Sequence, residues 1–317
     1  MVAVWVLCGL IGAAALCAAV AYVCYRMAFY AKPRVPSEEF ELPPGKEYEP
    51  FHERMLYWMK EMRATPYRAY TITSFDGLQL YGRYYESVPG APIEIMMHGY
   101  RGSAERDLCG GIQRCFAIGH NALVVDQRAS GRSEGHVIGF GVTESRDCLG
   151  WIELLVREFG DNVRIILTGI SMGAATVMIA AGEPLPDNVV GVLADCGYTS
   201  ARAIIKKVIR QMGLPANLLY PFVRLGARLY GGYDLEERSP IEAMSRCRIP
   251  VIFFHGEADG FVPCEMSREN YEACAAPKRL MTVPQADHGL SYPAAKDAYL
   301  QAASEFFMQH GIPSERM

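Results

Sequence analysis

Residues 169–173 read Gly169-Ile170-Ser171-Met172-Gly173, a serine with a glycine two positions before it and another two after. A serine hydroxyl is a poor nucleophile until a base takes its proton. It must also stand clear of its own backbone, and a sharp strand-to-helix turn achieves this only if small residues flank it. The apolar run Val163 to Leu167 precedes the motif and the small-residue run Ala174-Ala175-Thr176 follows it, as such a turn requires. Seven histidines could supply the base. His52 and His310 lie near the two ends, His120 precedes an apolar run, and His98, His136 and His255 fall near strand ends or loops. His288 alone follows the last apolar run, in Asp287-His288-Gly289. An imidazole base needs an acid to orient it and to stabilise the imidazolium. Asp259, in His255-Gly256-Glu257-Ala258-Asp259, stands 88 residues after Ser171 and 29 before His288. Asp195, which also ends an apolar run, is the rival acid, while Glu257 and Asp287 read as surface or turn charges. The anionic intermediate of acyl transfer needs two aimed N–H donors. Met172 N–H follows the serine, and Tyr100 N–H lies in His98-Gly99-Tyr100-Arg101-Gly102, after the third predicted strand.

The elements that must hold these groups follow a regular pattern. Tyr67 to Phe75 and Leu78 to Glu86 flank Asp76-Gly77, a hairpin signal. Short apolar runs follow at Ile93 to Met97, Ala122 to Val125, Val163 to Leu167, Val189 to Ala194, Val251 to Phe254 and Leu280 to Val283. They read as strands buried on both faces. Between them lie helical stretches such as Val142 to Phe159, with Leu149, Ile152, Val156 and Phe159 on one face. The alternation predicts an α/β fold: a mainly parallel central sheet, helices on both faces and antiparallel edge strands from the hairpin. Ligands of such sheets bind at the strands' carboxyl ends, where the candidate residues fall. Between about residues 199 and 245 the strand pattern stops, and Tyr220, Phe222, Tyr230 and Tyr233 appear among basic residues. This insert is expected to be a helical cap over the site, with a plain helical excursion as the alternative.

The N-terminal region is of another kind. Met1 to Tyr25 holds no charged side chain, and about 20 apolar residues suffice to cross a bilayer. Residues 1–30 read as an uncleaved membrane anchor. A cleaved export signal is the alternative, since Ala19-Val20-Ala21 resembles a cleavage site although no basic region precedes it. Arg26, Lys32 and Arg34 follow the run and only the amino terminus precedes it, which predicts a cytoplasmic C-terminal domain. Residues 31–66 read as a linker, with five Pro and five Glu in 31–50, then an amphipathic helix around Phe51, Met55, Trp58 and Met62. That helix packs on the domain or lies on the membrane surface. On this reading a chain starting near Phe51 would be soluble and active.

Composition narrows the field further. With 31 basic and 35 acidic residues the chain lacks the cationic excess of a nucleic-acid binder, and at 50% hydrophobic it is no disordered tail. Seven cysteines lie outside the apolar run, an odd number without C-x-x-C spacing, consistent with reduced, buried thiols rather than a disulfide or zinc framework.

Together these motifs resemble the α/β-hydrolase superfamily, near its serine-esterase, lysophospholipase-like and serine-aminopeptidase-like branches. The resemblance covers residues 67–310, within a domain read as 67–312. It rests on His98-Gly99, Asp126-Gln127-Arg128-Ala129-Ser130-Gly131-Arg132-Ser133, Gly169 to Gly173, Gly256 to Asp259 with Val262-Pro263, and His288-Gly289. It implies acyl hydrolysis by Ser171, Asp259 and His288 without metal or organic cofactor. No HExxH, P-loop or strand-anchored GxGxxG contradicts this. The expected substrate is a small or lipid-like carboxylic ester. Peptide, amide or thioester hydrolysis is the alternative, and a non-catalytic binding module a third reading.

Overall fold

Alternating side chains of the short apolar runs build two cores, one on each face of a single eight-stranded sheet. A computed structural model of the protein describes residues 1–32 and 38–315. Arg34, part of the charge argument above, lies outside the described residues. The first helix is α1 (Val2–Ala28), followed by α2 (His52–Ala64). The hairpin β1 (Arg68–Thr73) and β2 (Gln79–Tyr85) comes next, then β3 (Ile93–Met97), α3 (Ala104–Ala117), β4 (Asn121–Val125), α4 (Val142–Phe159), β5 (Ile165–Ile170), α5 (Met172–Ala181) and β6 (Val189–Asp195). The insert carries α6 (Ala201–Gln211), α7 (Ala216–Gly226), a wide π-helical turn (Ala227–Gly231) and α8 (Pro240–Met244). The chain closes with β7 (Val251–Gly256), α9 (Cys264–Ala273), β8 (Lys278–Val283), α10 (Ser291–Ala294) and α11 (Lys296–Gln309).

The strand order is β1-β2-β4-β3-β5-β6-β7-β8. β2 pairs antiparallel with β1 and β4, and every pairing from β4 through β3 to β8 is parallel. Successive residues of a strand face opposite sides. Met96 therefore joins α2, α3 and α11 on one face, while Ile95 and Met97 join α4 and α5 on the other. One strand departs from expectation: β8 is half-exposed except at Val283, because no strand pairs beyond it. β3 also carries a charge. The fully buried Glu94 accepts from Arg114, His120 Nδ1 (2.8 Å) and Thr168 Oγ1 (2.6 Å), and His120 Nε2 lies 2.7 Å from Ser314 Oγ. Burial alone would raise this carboxyl, but Arg114 and His120 hold it well below the usual carboxylate range. All ten cysteines are free thiols, and six of the seven beyond α1 are buried.

The region before the hairpin does not hang as a spacer. α2 buries Met55, Trp58, Met59 and Met62 against the sheet-side core, so the domain, not a membrane, covers its apolar face. Ahead of it, Arg63 donates to the Glu38 carbonyl and Tyr48 donates to the carbonyl of His288 (2.9 Å). α1 is exposed over its first sixteen residues, Val2 to Cys17. Its last turns are not: Ala21, Tyr25 and Phe29 are buried, the latter two beside Tyr220, Val223, Ala227 and Tyr233 of the insert. Gly226 makes this approach possible, since a Cβ there would collide with the Ala21 carbonyl oxygen. Backbone bonds Ala31 N to His136 O (2.9 Å) and Ile138 N to Phe29 O (2.8 Å) continue the contact. A chain starting at Phe51 would thus lose Tyr25 and Phe29 from the cluster they form with the insert, a contact the sequence did not reveal.

Candidate active site

β5 runs straight into Ser171, whose backbone is held at φ 57°, ψ −117° before α5 begins. For a non-glycine residue this conformation costs on the order of 1–3 kcal/mol. The glycines allow it. A Cβ at Gly169 would collide with the backbone of Gly173, and one at Gly173 with the carbonyls of Met97 and His98. The strained turn points the serine away from the sheet, at the positive end of α5. Its Oγ donates to His288 Nε2 at 2.9 Å, and His288 Nδ1 donates to Asp259 Oδ2 at 2.7 Å. The three side chains, 117 residues apart at the extremes, form one hydrogen-bonded chain across the tips of β5, β7 and β8.

Asp259 is held by more than His288. Its Oδ1 accepts from Phe261 N (2.8 Å) and Val262 N (2.7 Å), and its Oδ2 also faces His255 Nε2 (3.1 Å). Burial would raise the carboxyl, but the bonds from His255 and His288 prevail and bring it down to about 2. His255 Nε2 faces two acceptors, Asp259 and the Val262 carbonyl (2.9 Å), so its proton sits there, and Nδ1 is left to face Ser267 Oγ (2.6 Å). The sequence reading treated His255 only as a histidine near a strand end. Its position four residues before Asp259 was the available signal.

Asp195 lies apart from this chain. Its carboxylate accepts from Ser291 Oγ and Tyr299 OH, both at 3.0 Å, and complete burial raises its pKa. Its backbone carbonyl accepts from Ser171 N (2.8 Å), so it supports the turn without touching His288. Asp287 accepts from Gly260 N and His288 N, and the exposed Glu257 accepts from Thr282 Oγ1, as turn and surface charges do.

The two proposed oxyanion donors also sit by the serine. Met172 is the first residue of α5, where a helix leaves its N–H groups unpaired. Gly99 packs against the serine, with its Cβ position 3.6 Å from Ser171 Cβ, and Tyr100 follows it. Among the described residues, neither the Tyr100 nor the Met172 amide donates to a protein acceptor. The Tyr100 loop is tied down elsewhere. His98 Nδ1 donates to Gly99 O (2.8 Å), Gly99 N to Asp107 Oδ2 (3.0 Å), and Gln127 Nε2 to His98 O (2.6 Å). On its outer side it is bonded to the end of α1: Tyr100 OH donates to Ala28 O (2.7 Å), and Arg101 Nη2 to Met27 O (2.8 Å) and Tyr30 O (3.2 Å). No sequence signal marked this link.

A cleft of about 520 Å³ opens at Ser171 and His288. Its walls include Pro43, Pro44, Glu47 and Tyr48 from the segment read as linker, with Met55 and Arg106. No residue of the 199–245 insert lines it. The insert instead packs on Met172 and Ala175 from behind, and Lys207 Nζ donates to the Gly260 and Phe261 carbonyls beside Asp259 (2.5 and 2.7 Å). Cys196, Asp259 and His288 bring one potential metal-ligating atom each within 4.8 Å of one another. Burial raises the Cys196 thiol well above its ordinary value, so it stays protonated and is a poor ligand.

Comparison with known proteins places the chain in a family. Residues 139–311, more than half of the chain, match the Prolyl oligopeptidase family. The chain belongs to that family. The YqkD protein of Bacillus subtilis is 29% identical over 190 residues, covering 60% of this chain and 62% of that protein, which is less than two thirds of its length. The YfhR protein of Escherichia coli K12 is 25% identical over 280 residues, covering 84% of this chain and 86% of the relative. Among solved structures, the Pyrococcus furiosus esterase Pf2001 superposes with a TM-score of 0.67 at 20% identity, covering 89% of this chain and 99% of that one. The fold is that of the α/β-hydrolases, a superfamily of hydrolytic enzymes, with an added N-terminal apolar helix long enough to cross a membrane.

Proposed function

We propose that the protein is a membrane-anchored serine hydrolase that cleaves carboxylic esters through an acyl-enzyme. The observation that carries this reading is the unbroken Ser171–His288–Asp259 chain at 2.9 and 2.7 Å beside two undonated amides. Ser171 Oγ attacks the ester carbonyl while His288 Nε2 takes its proton. Tyr100 and Met172 N–H receive the oxyanion, and His288 returns the proton to the departing alcohol. Water then repeats the sequence on the acyl group. Asp259, ionised by its two histidines and two backbone donors, keeps His288 in the Nδ1–H tautomer and stabilises the imidazolium. Only a neutral imidazole can take the serine proton, so His288 acts in that form. The anchor is α1, and Arg26 and Lys32 behind it favour a cytoplasmic domain.

Peptide or amide hydrolysis is the second reading, and Glu47 and Asp107 at the cleft favour it, because a carboxylate can hold a substrate amine. Asp107 is already engaged by Arg106 (2.7 Å) and Gly99 N, which leaves Glu47. Labelling with a fluorophosphonate, followed by a panel of acyl esters against aminoacyl amides, decides between them. The expected result is labelling lost in Ser171→Ala and faster turnover of esters. Labelling that survives Ser171→Ala refutes the mechanism, and a preference for amides carrying a free amine refutes the ester assignment.

A further inference from the structure

The π-helical turn of the insert touches α1 at a telling height. A hydrocarbon core takes about 20 helical residues. In α1 the uncharged run lasts to Tyr25, and Arg26 is the first charged side chain. Yet Tyr230 OH donates to the carbonyl of Ala18 (3.1 Å), and its ring packs edge-on against Tyr22 at 5.2 Å. The turn therefore reaches eight helical residues, about 12 Å, to the lipid side of Arg26. What it presents there is apolar: Leu229 is 56% exposed and Tyr230 38%. In water such side chains are unfavourable, and on a domain fixed against a membrane helix they face the lipid. Tyrosine is the side chain enriched at this depth, and Tyr22, Tyr25, Tyr30 and Tyr230 cluster there. Arg26, stacked on the Tyr30 ring at 3.9 Å, adds a cation at headgroup level, while Arg228 is paired with Asp234.

We propose that the turn Ala227–Gly231, with Leu229 and Tyr230 leading, inserts into the lipid interface beside α1, so that the bilayer is a binding partner of the insert. The assignment rests on reading α1 as a membrane span. It also refines the substrate class. Tyr100 is bonded to Ala28 O, two helical residues beyond Arg26, so the oxyanion loop stands at headgroup level, about 3 Å beyond the first charged side chain. An ester carried by an amphiphile in the membrane surface meets the site at that height.

The test uses the full chain reconstituted into phosphatidylcholine vesicles containing brominated acyl chains, which quench indole emission on contact. Trp5 reports on α1, while Trp58 and Trp151 are buried in the domain. The variant Leu229→Trp, combined with Trp5→Phe, reports on the turn. The expected result is quenching of Trp5 in the parent and of the introduced indole in the variant, the latter stronger with bromine near the headgroup than deep in the chain. Quenching of Trp5 without quenching of the introduced indole overturns the insertion and leaves the anchor standing. A blue-shifted but unquenched introduced indole means that another copy of the chain covers the turn, which also overturns it. If neither indole is quenched, the anchor reading fails and the proposal falls with it.

Discussion

Two regions meet at the Tyr100 loop and are built on opposite principles. The tips of β5, β7 and β8 organise their side chains locally. Asp259 is held by amides two and three residues on, and Ser171 by glycines two residues either side. The α1–insert unit is assembled at long range: Ala21 meets Gly226, and Ala28 meets Tyr100. The first region carries its geometry wherever the sheet folds. The second exists only while both distant partners are present, yet it grips the loop that bears one of the proposed oxyanion donors.

The sharpest break falls on the local region. Ser171→Ala or His288→Ala is expected to lower kcat by on the order of a millionfold while circular dichroism stays unchanged. Next is Asp259→Asn, which keeps the backbone bonds but allows the wrong imidazole tautomer, with a loss of about ten-thousandfold. Asp195→Asn should instead lower the melting temperature with a much smaller kinetic effect; if it costs more kcat than Asp259→Asn, the acid is misassigned. The long-range region is tested by Gly226→Leu in the full chain. Overpacking there should destabilise by about 1–3 kcal/mol and lower kcat, because the Tyr100 loop loses its outer support. Normal stability and kcat would show the two regions to be independent.

Acid titration separates them in another way. Because the Asp259 pKa is lowered to about 2, its ionised form stabilises the fold above the ordinary carboxylate range, and this contribution is lost as pH falls through about 2. The loss should be about 2 kcal/mol and absent in Asp259→Asn, as read from urea midpoints across that window. The smallest effect is expected of Tyr100→Phe, which deletes only the bond to Ala28 O: about 1 kcal/mol in stability and a kcat fall of less than about tenfold.

The contrast also explains what the sequence could reveal. Ser171, Asp259 and His288 were legible because each follows an apolar strand and sits in a short motif whose glycines or neighbours have a physical reason. The strands were legible from apolar runs, although the exposure of β8 was not, since edge position is a property of strand order. The wall formed by Pro43 to Tyr48 was not legible: a proline- and glutamate-rich stretch has no periodicity, and its place is set by Tyr48 bonding to a residue 240 positions away. The burial of Tyr25 and Phe29 was hidden for a related reason. An apolar helix reads alike whether lipid or protein covers it, and only the partner, α7, tells them apart.

The separation of Ala21 from Gly226 has a consequence for biosynthesis. Synthesis proceeds at about 5–20 residues per second, so some 205 residues take roughly 10–40 s to emerge after Ala21. Throughout that interval Tyr25 and Phe29 wait uncovered, while β1 to β6 emerge and can pair. Those rings stay uncovered until α7 arrives, and the insert can close on them before β7 and β8 complete the sheet.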